Sequence, residues 1–183
     1  LSFERVHLYT YDFIAERVGV KLGFGCLTFY PYFYAVALWA AVDLPNPHRP
    51  FWFTICCAVL FLAGWSLARG ANMQKYYFKT QGEKSFLGIK PEVITDGTKA
   101  LLANGFWGLS CHINYLGEIL MGCAIALSAG YPALWWVWLY PLYYVGLLFT
   151  RQMDDAKICR AKYGELWDAY IKKVKYRIIP FIY

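Results

Sequence analysis

Charge vanishes from this chain in long blocks, and the blocks set its plan. Residues 22–42 (LGFGCLTFYPYFYAVALWAAV) and 51–68 (FWFTICCAVLFLAGWSLA) contain no Asp, Glu, Lys or Arg. Residues 113–150 carry only Glu118 and are interrupted by Gly130, Tyr131 and Pro132, which predicts a hairpin of two helices. A helical crossing of a bilayer needs roughly 20 apolar residues, so the pattern predicts four crossings. Asp43–Pro50 holds three prolines in eight residues and reads as a tight loop between the first two. From Arg69 a polar helix (RGANMQKYYFK) continues the second apolar run and stops in TQGEK. IKPEVITDGTK follows, with Pro91 and an Asp-Gly turn at 96–97, and residues 98–112 return to the third run. The tail is helical from Arg151 to about Lys173 and ends in YRIIPFIY. Residues 1–21 read as a surface helix or the end of an upstream span.

Composition agrees with the pattern. The chain is 59% hydrophobic and 16% charged, where a soluble domain carries about 25% charged residues. Core helices of a large soluble protein are the competing source of such runs. Charge placement favours a membrane: with four crossings, 17 of the 18 Lys and Arg residues fall on one side, and only Arg49 on the other. The positive-inside rule makes the rich side cytoplasmic, and Trp135, Trp136, Trp138 and Tyr140 sit where interfacial aromatic belts sit. The net charge of +6 is then a topology signal, not a sign of nucleic-acid binding. The six cysteines have no metal-ligand spacing and read as reduced thiols. The fold expected is all-α: a polytopic membrane protein of about four transmembrane helices plus cytoplasmic polar helices. It divides into an arm (1–21), a first helix pair (22–68), a cytoplasmic segment (69–112), a helical hairpin (113–150) and a cytoplasmic tail (151–183), all within one membrane domain.

Three polar clusters stand out. In WGLSCHINYLGE, residues 107–118, helical spacing puts Asn114 and Glu118 on one face and His112 and Tyr115 on another. An interfacial role is the default for His112, whereas a carboxylate such as Glu118 inside lipid costs roughly 2.5–3.5 kcal/mol and marks a site. In RQMDDAKICRAKYGELWDAY, residues 151–170, Arg151 and Asp155 are spaced to pair along one face. A solvated amphipathic helix is the favoured reading of that cluster from its residues alone; against it, Tyr163, Trp167 and Tyr170 need somewhere to pack. In NMQKYYFK, residues 72–79, Lys75 and Lys79 are one turn apart. They read as headgroup anchors or as point-charge phosphate binders. No GxGxxG or GxxxxGK[ST] is present, so a nucleotide site here is neither Rossmann nor P-loop.

These motifs, in this order, resemble the C-terminal half of the sterol reductases: the C14 and C7 enzymes and the sterol-reductase domain of the lamin B receptor. The resemblance rests on ANMQK with a basic residue four after the lysine, on LLANGFWG, on HINYLGE, on RQMDDAKICRAKYGELWDAY and on YRIIPFIY. It implies NADPH-dependent reduction of a sterol carbon–carbon double bond, in the endoplasmic reticulum membrane or a bacterial inner membrane, with further helices upstream in a longer chain. The cofactor pocket it implies comprises Lys75, Lys79, Leu102, Trp107, Asn114, Tyr115, Glu118, Arg151, Asp155, Cys159, Arg160, Ala161, Lys162, Tyr163 and Tyr170. The chain departs from the family pattern at Cys111 (usually Arg), Glu118 (usually Asp), Lys79 (usually Arg) and Ala156 (usually Glu).

An unactivated alkene does not accept hydride until it is protonated, so the resemblance also implies an acid. Asp155 is the candidate contributor to proton supply, with Tyr163 second. No metal is implied. A rival class is the membrane isoprenylcysteine-type methyltransferase, which shares a His-x-x-Tyr-x-Gly element and an Ile-Pro-Phe-Ile ending and uses S-adenosylmethionine. That ligand has no phosphates and would leave Lys75 and Lys79 little to do. A catalytically inactive sterol-binding relative is the third reading.

Overall fold

The computed structural model describes residues 18–82 and 84–183; most of the arm expected over 1–21 lies outside the described residues. Helix α1 (Val18–Ala35) opens the described chain. It carries Pro31 inside, and a 3-10 turn (Val36–Leu38) then leads into the short helix α2 (Trp39–Asp43). The apolar run 22–42 is thus helical throughout.

Helix α3 (Phe51–Gln81) is the element the rest depends on. At 1.5 Å per residue it is about 46 Å long, well beyond the ~30 Å of bilayer hydrocarbon. Its apolar part, 51–68, is long and apolar enough to cross that hydrocarbon, and its last turns are polar. Phe51, Trp52, Ile55, Val59, Leu62 and Trp65 are exposed along the apolar part, an outward face suited to lipid rather than to water. Past Ala68 the character reverses: Ala71, Asn72 and Gln74 are buried.

The segment around the Asp-Gly turn contains strands β1 (Val93–Thr95) and β2 (Ala100–Leu102), paired antiparallel with Val93 opposite Leu102. The fold is therefore mostly helical with one small hairpin, which corrects the all-α expectation. The Asp-Gly turn closes it. The Asp96 carboxylate accepts the backbone N–H groups of Thr98 and Lys99 at 2.9 and 2.7 Å, and these bonds hold its pKa down to about 2. A short helix α4 (Phe106–Leu109) precedes α5 (Ile113–Ser128). A 3-10 turn (Trp135–Trp138) then leads into α6 (Leu139–Tyr163). Gly164, at φ +55, splits the tail helix expected from Arg151 to Lys173, and α7 (Glu165–Lys173) follows.

The chain forms two compact units. One comprises the described residues up to Gly64 together with Glu118–Gly146; the other comprises Trp65–Gly117 and Leu147–Tyr183. In the first, Ala37, Ala40, Ala126 and Val137 form the core, with Trp136, Trp138 and Tyr131 packed against it. The Arg49 guanidinium donates to the Gly130 carbonyl at 2.6 and 3.0 Å, and the Tyr131 hydroxyl donates to the Pro45 carbonyl. The proline-rich loop and the 129–132 turn therefore lie against each other. In the second unit the core is Ala103, Cys111, Trp167, Tyr170 and Val174. Helix α7 packs on both strands of the hairpin there.

Candidate functional site

The polar end of α3 is stitched to the loop before α4. Gln74 accepts the Phe106 N–H at 3.0 Å and donates to the Asn104 carbonyl at 3.4 Å. Gly105 makes this approach possible: its φ is +62, and a Cβ there would run into the Gln74 amide. One residue on, the Trp107 indole N–H donates to the Ala71 carbonyl at 2.8 Å, fixing the ring against α3. The Lys75 ammonium then lies over that ring, 5.0 Å from its centroid, a cation–π contact. Burial, and next the charge of Lys79, lower the Lys75 pKa to about 8.

From the other side, the Tyr170 hydroxyl of α7 donates to the Trp107 carbonyl at 3.0 Å, while its ring stacks on Trp167 at 5.2 Å. Burial pushes the Tyr170 hydroxyl well above its ordinary pKa, so it remains a donor. Tyr163 and Cys159, on the last turns of α6, pack against the same cluster. Leu102 is buried at the end of β2. The rings of Tyr163, Trp167 and Tyr170 thus pack in this core.

The start of α5 supplies the third wall. The Tyr115 hydroxyl donates to Asp155 Oδ2 at 2.5 Å, and Arg151 interacts with the same hydroxyl. Asp155 and Cys159 are also electrostatic neighbours of Lys75, with Lys162 and Lys79 alongside. Asn114 is buried, and its Oδ1 accepts no hydrogen bond among the described residues, an orphaned acceptor of a kind that normally finds a donor.

The unit spanning 65–117 and 147–183 therefore holds together Lys75, Trp107, Asn114, Tyr115, Arg151, Asp155, Cys159, Tyr163 and Tyr170, with Lys79 one turn beyond Lys75. Other members of the expected pocket have different surroundings. Arg160 is exposed and pairs with Asp168 at 3.0 Å. Ala161 is exposed, and so is Lys162, whose carbonyl accepts from the Lys99 ammonium. Glu118 falls in the other unit.

Sequence reasoning passed over three residues of this neighbourhood. His112, taken as interfacial, is buried and stacked on Tyr115, with ring centroids 4.9 Å apart; their i,i+3 spacing was the signal. Gln74 and Asn104 gave no signal, because nothing local pairs residues 30 apart. Cys111, where the resembled family has Arg, is a buried thiol with Sγ 3.5 Å from the Val174 carbonyl. Burial raises its pKa to about 11.

A mostly helical chain with one helix long and apolar enough to cross a membrane, and a cluster of cations, rings and a hydrogen-bonded carboxylate beside its polar end, fits the class of membrane proteins. The family model described as the Ergosterol biosynthesis ERG4/ERG24 family matches residues 1–183, and the chain belongs to that family. It is 36% identical over 178 residues to a Delta(14)-sterol reductase of Arabidopsis thaliana, covering 95% of this chain and 46% of the relative. It is 36% identical over 185 residues to the mouse Delta(14)-sterol reductase TM7SF2, covering 100% and 43%. Against a Delta(14)-sterol reductase of Methylotuvimicrobium alcaliphilum the identity is 36% over 184 residues, covering 98% and 42%. The chain spans less than half the length of these curated relatives and corresponds to their C-terminal half.

Proposed function

We propose that the protein carrying this chain reduces a carbon–carbon double bond of a membrane sterol, of the C14 or C7 type, with NADPH as reductant. The unit spanning 65–117 and 147–183 holds the cofactor. The observation that carries this reading is the convergence of Lys75 on Trp107, the orphaned Asn114 acceptor and the Tyr115–Asp155 hydrogen bond within one unit. The residues fit the cofactor chemically. Lys75 and Lys79 are point charges for phosphate, Asn114 Oδ1 offers a buried acceptor to an amide or ribose donor, and Trp107 offers a flat face. The bound nicotinamide supplies hydride. The chain binds and orients it, shields it from water, and holds a proton at the Tyr115–Asp155 pair for delivery to the alkene carbon. Protonation of one alkene carbon from this pair would leave a cation, which a nicotinamide held by these residues would be suited to reduce. Asp155 is the proposed proton contributor, with Tyr163 at the edge of the same cluster.

The membrane arrangement proposed is four crossings with the basic loops cytoplasmic, in the endoplasmic reticulum or a bacterial inner membrane. The contact of the proline-rich loop with the 129–132 turn supports it, since four crossings require those two loops to share a side. The test is sterol reduction by the complete protein in cells fed a sterol diene. Loss of one double bond is expected, and Asp155→Asn should lower turnover by about 100-fold or more. Wild-type turnover and an unchanged pH profile in Asp155→Asn would remove the proton assignment.

A further inference from the structure

His112 takes no part in the scheme above, yet it is placed against both members of the pair that does. Its ring lies nearly parallel to the Tyr115 ring, at 13° with centroids 4.9 Å apart. Its Nδ1 is 4.0 Å from Asp155 Oδ2, the oxygen that accepts the Tyr115 hydroxyl. Its backbone is fixed on both sides. The His112 N–H donates to the Arg177 carbonyl at 2.8 Å, and its own carbonyl accepts the Tyr115 N–H at 3.0 Å. The preceding residues are tied to the same C-terminal strap, residues 174–178: the Cys111 N–H donates to the Tyr176 carbonyl at 2.9 Å and the Ser110 hydroxyl to the Ile178 carbonyl at 3.0 Å.

An interfacial histidine would present its ring to headgroups and water. This one is buried, with Tyr115 from α5, Asp155 from α6, Lys75 from α3 and Arg177 from the strap as the titratable and charged groups around it. Burial lowers its pKa to about 4, with Asp155 opposing and Lys75 and Arg177 adding to the shift. The ring is therefore neutral at physiological pH. A neutral imidazole carries a single N–H, and the tautomer with that hydrogen on Nδ1 turns a donor edge toward the carboxylate.

We propose that His112 is the positioning residue of the Tyr115–Asp155 pair. The stacked ring holds the phenol on the carboxylate, and the Nδ1 edge faces the carboxylate oxygen that accepts it, so that His112 fixes the geometry from which the pair hands on its proton. The catalytic meaning of this rests on the pair's role in proton supply; the positioning itself does not depend on a sterol.

The test uses the complete protein in membranes and two variants. His112→Phe keeps a flat ring and removes the nitrogens; His112→Asn keeps a polar group near the Nδ1 position and removes the ring. Infrared difference spectra, each taken against the same protein carrying Asp155→Asn, isolate the Asp155 carboxyl band. In His112→Phe its carboxylate stretching frequencies should move from the wild-type values as the Tyr115 hydrogen bond loosens, with His112→Asn between the two. Unmoved frequencies in His112→Phe overturn the proposal. In turnover, His112→Phe should lower kcat by about 10- to 100-fold, while NADPH affinity stays near wild type. Weakened NADPH binding with unchanged kcat would make His112 a wall of the cofactor pocket and also overturn it. Asp155→Asn run in parallel keeps the failures separate: wild-type turnover in that variant removes the proton assignment, while the infrared result still decides His112.

Discussion

Lys75 shows how the charge of one side chain depends on where it is put. On an exposed helix it would be one more headgroup anchor; over the Trp107 ring, burial and then the charge of Lys79 lower its pKa to about 8. The sign of the consequence follows. Below pH 8 the ammonium is charged and attracts phosphate; above it the charge is lost, so cofactor affinity should be flat to about pH 8 and decline beyond. Lys75→Arg should carry that affinity to higher pH, because guanidinium does not deprotonate there. Calorimetric titration of NADPH between pH 6.5 and 9.5 checks both, and an affinity that rises above pH 8 would contradict the assignment. Gly105 belongs to the same scale. Its φ of +62 and the Gln74 amide beside it leave no place for a Cβ, so Gly105→Ala should destabilise the protein by about 1–3 kcal/mol, read as a lowered melting temperature in detergent.

Among elements, α3 and the hairpin mark what the sequence made legible and what it did not. The switch in α3 from a charge-free run to a polar helix was readable, because membrane length limits the apolar part and Arg69 marks its end. The loop before α3 was readable from its three prolines, and the turn at 96–97 from Asp-Gly. The strands flanking that turn were not: three residues each, VIT and ALL, are too short for a period of two to register. They exist because α7 packs on them. The strap at 174–178 was hidden for the same reason, since its partners at 110–112 lie more than 60 residues away. Of the site, the residue types were legible as three clusters, but the Tyr115–Asp155 bond and the burial of His112 come from packing between α5 and α6. Asp96→Ala should loosen the hairpin, because the carboxylate holds two backbone N–H groups there. Hydrogen exchange of the 93–102 amides should accelerate; unchanged protection would show that α7 alone holds the strands.

At the scale of the molecule, one chain carries both a long apolar helix face and a polar interior. The long exposed apolar face of α3 calls for lipid, whereas the unit built from 65–117 and 147–183 buries Asn72, Gln74, Asn114 and Gln152. Four crossings place residues 43–50 opposite residues 84–90. Single cysteines introduced at Asn46 and Lys84 in a protein without its native cysteines should then react with an impermeant thiol reagent from opposite sides of sealed vesicles, and labelling of both from one side would rule that topology out. The central claim, that the polar unit grips a phosphate-bearing nicotinamide cofactor, is tested most directly by calorimetric titration of the purified complete protein with NADPH and, separately, with S-adenosylmethionine. Saturable NADPH binding, weakened about 10-fold or more in Lys75→Ala, with no S-adenosylmethionine binding, is the predicted result; binding of S-adenosylmethionine, or NADPH affinity indifferent to Lys75, would contradict it.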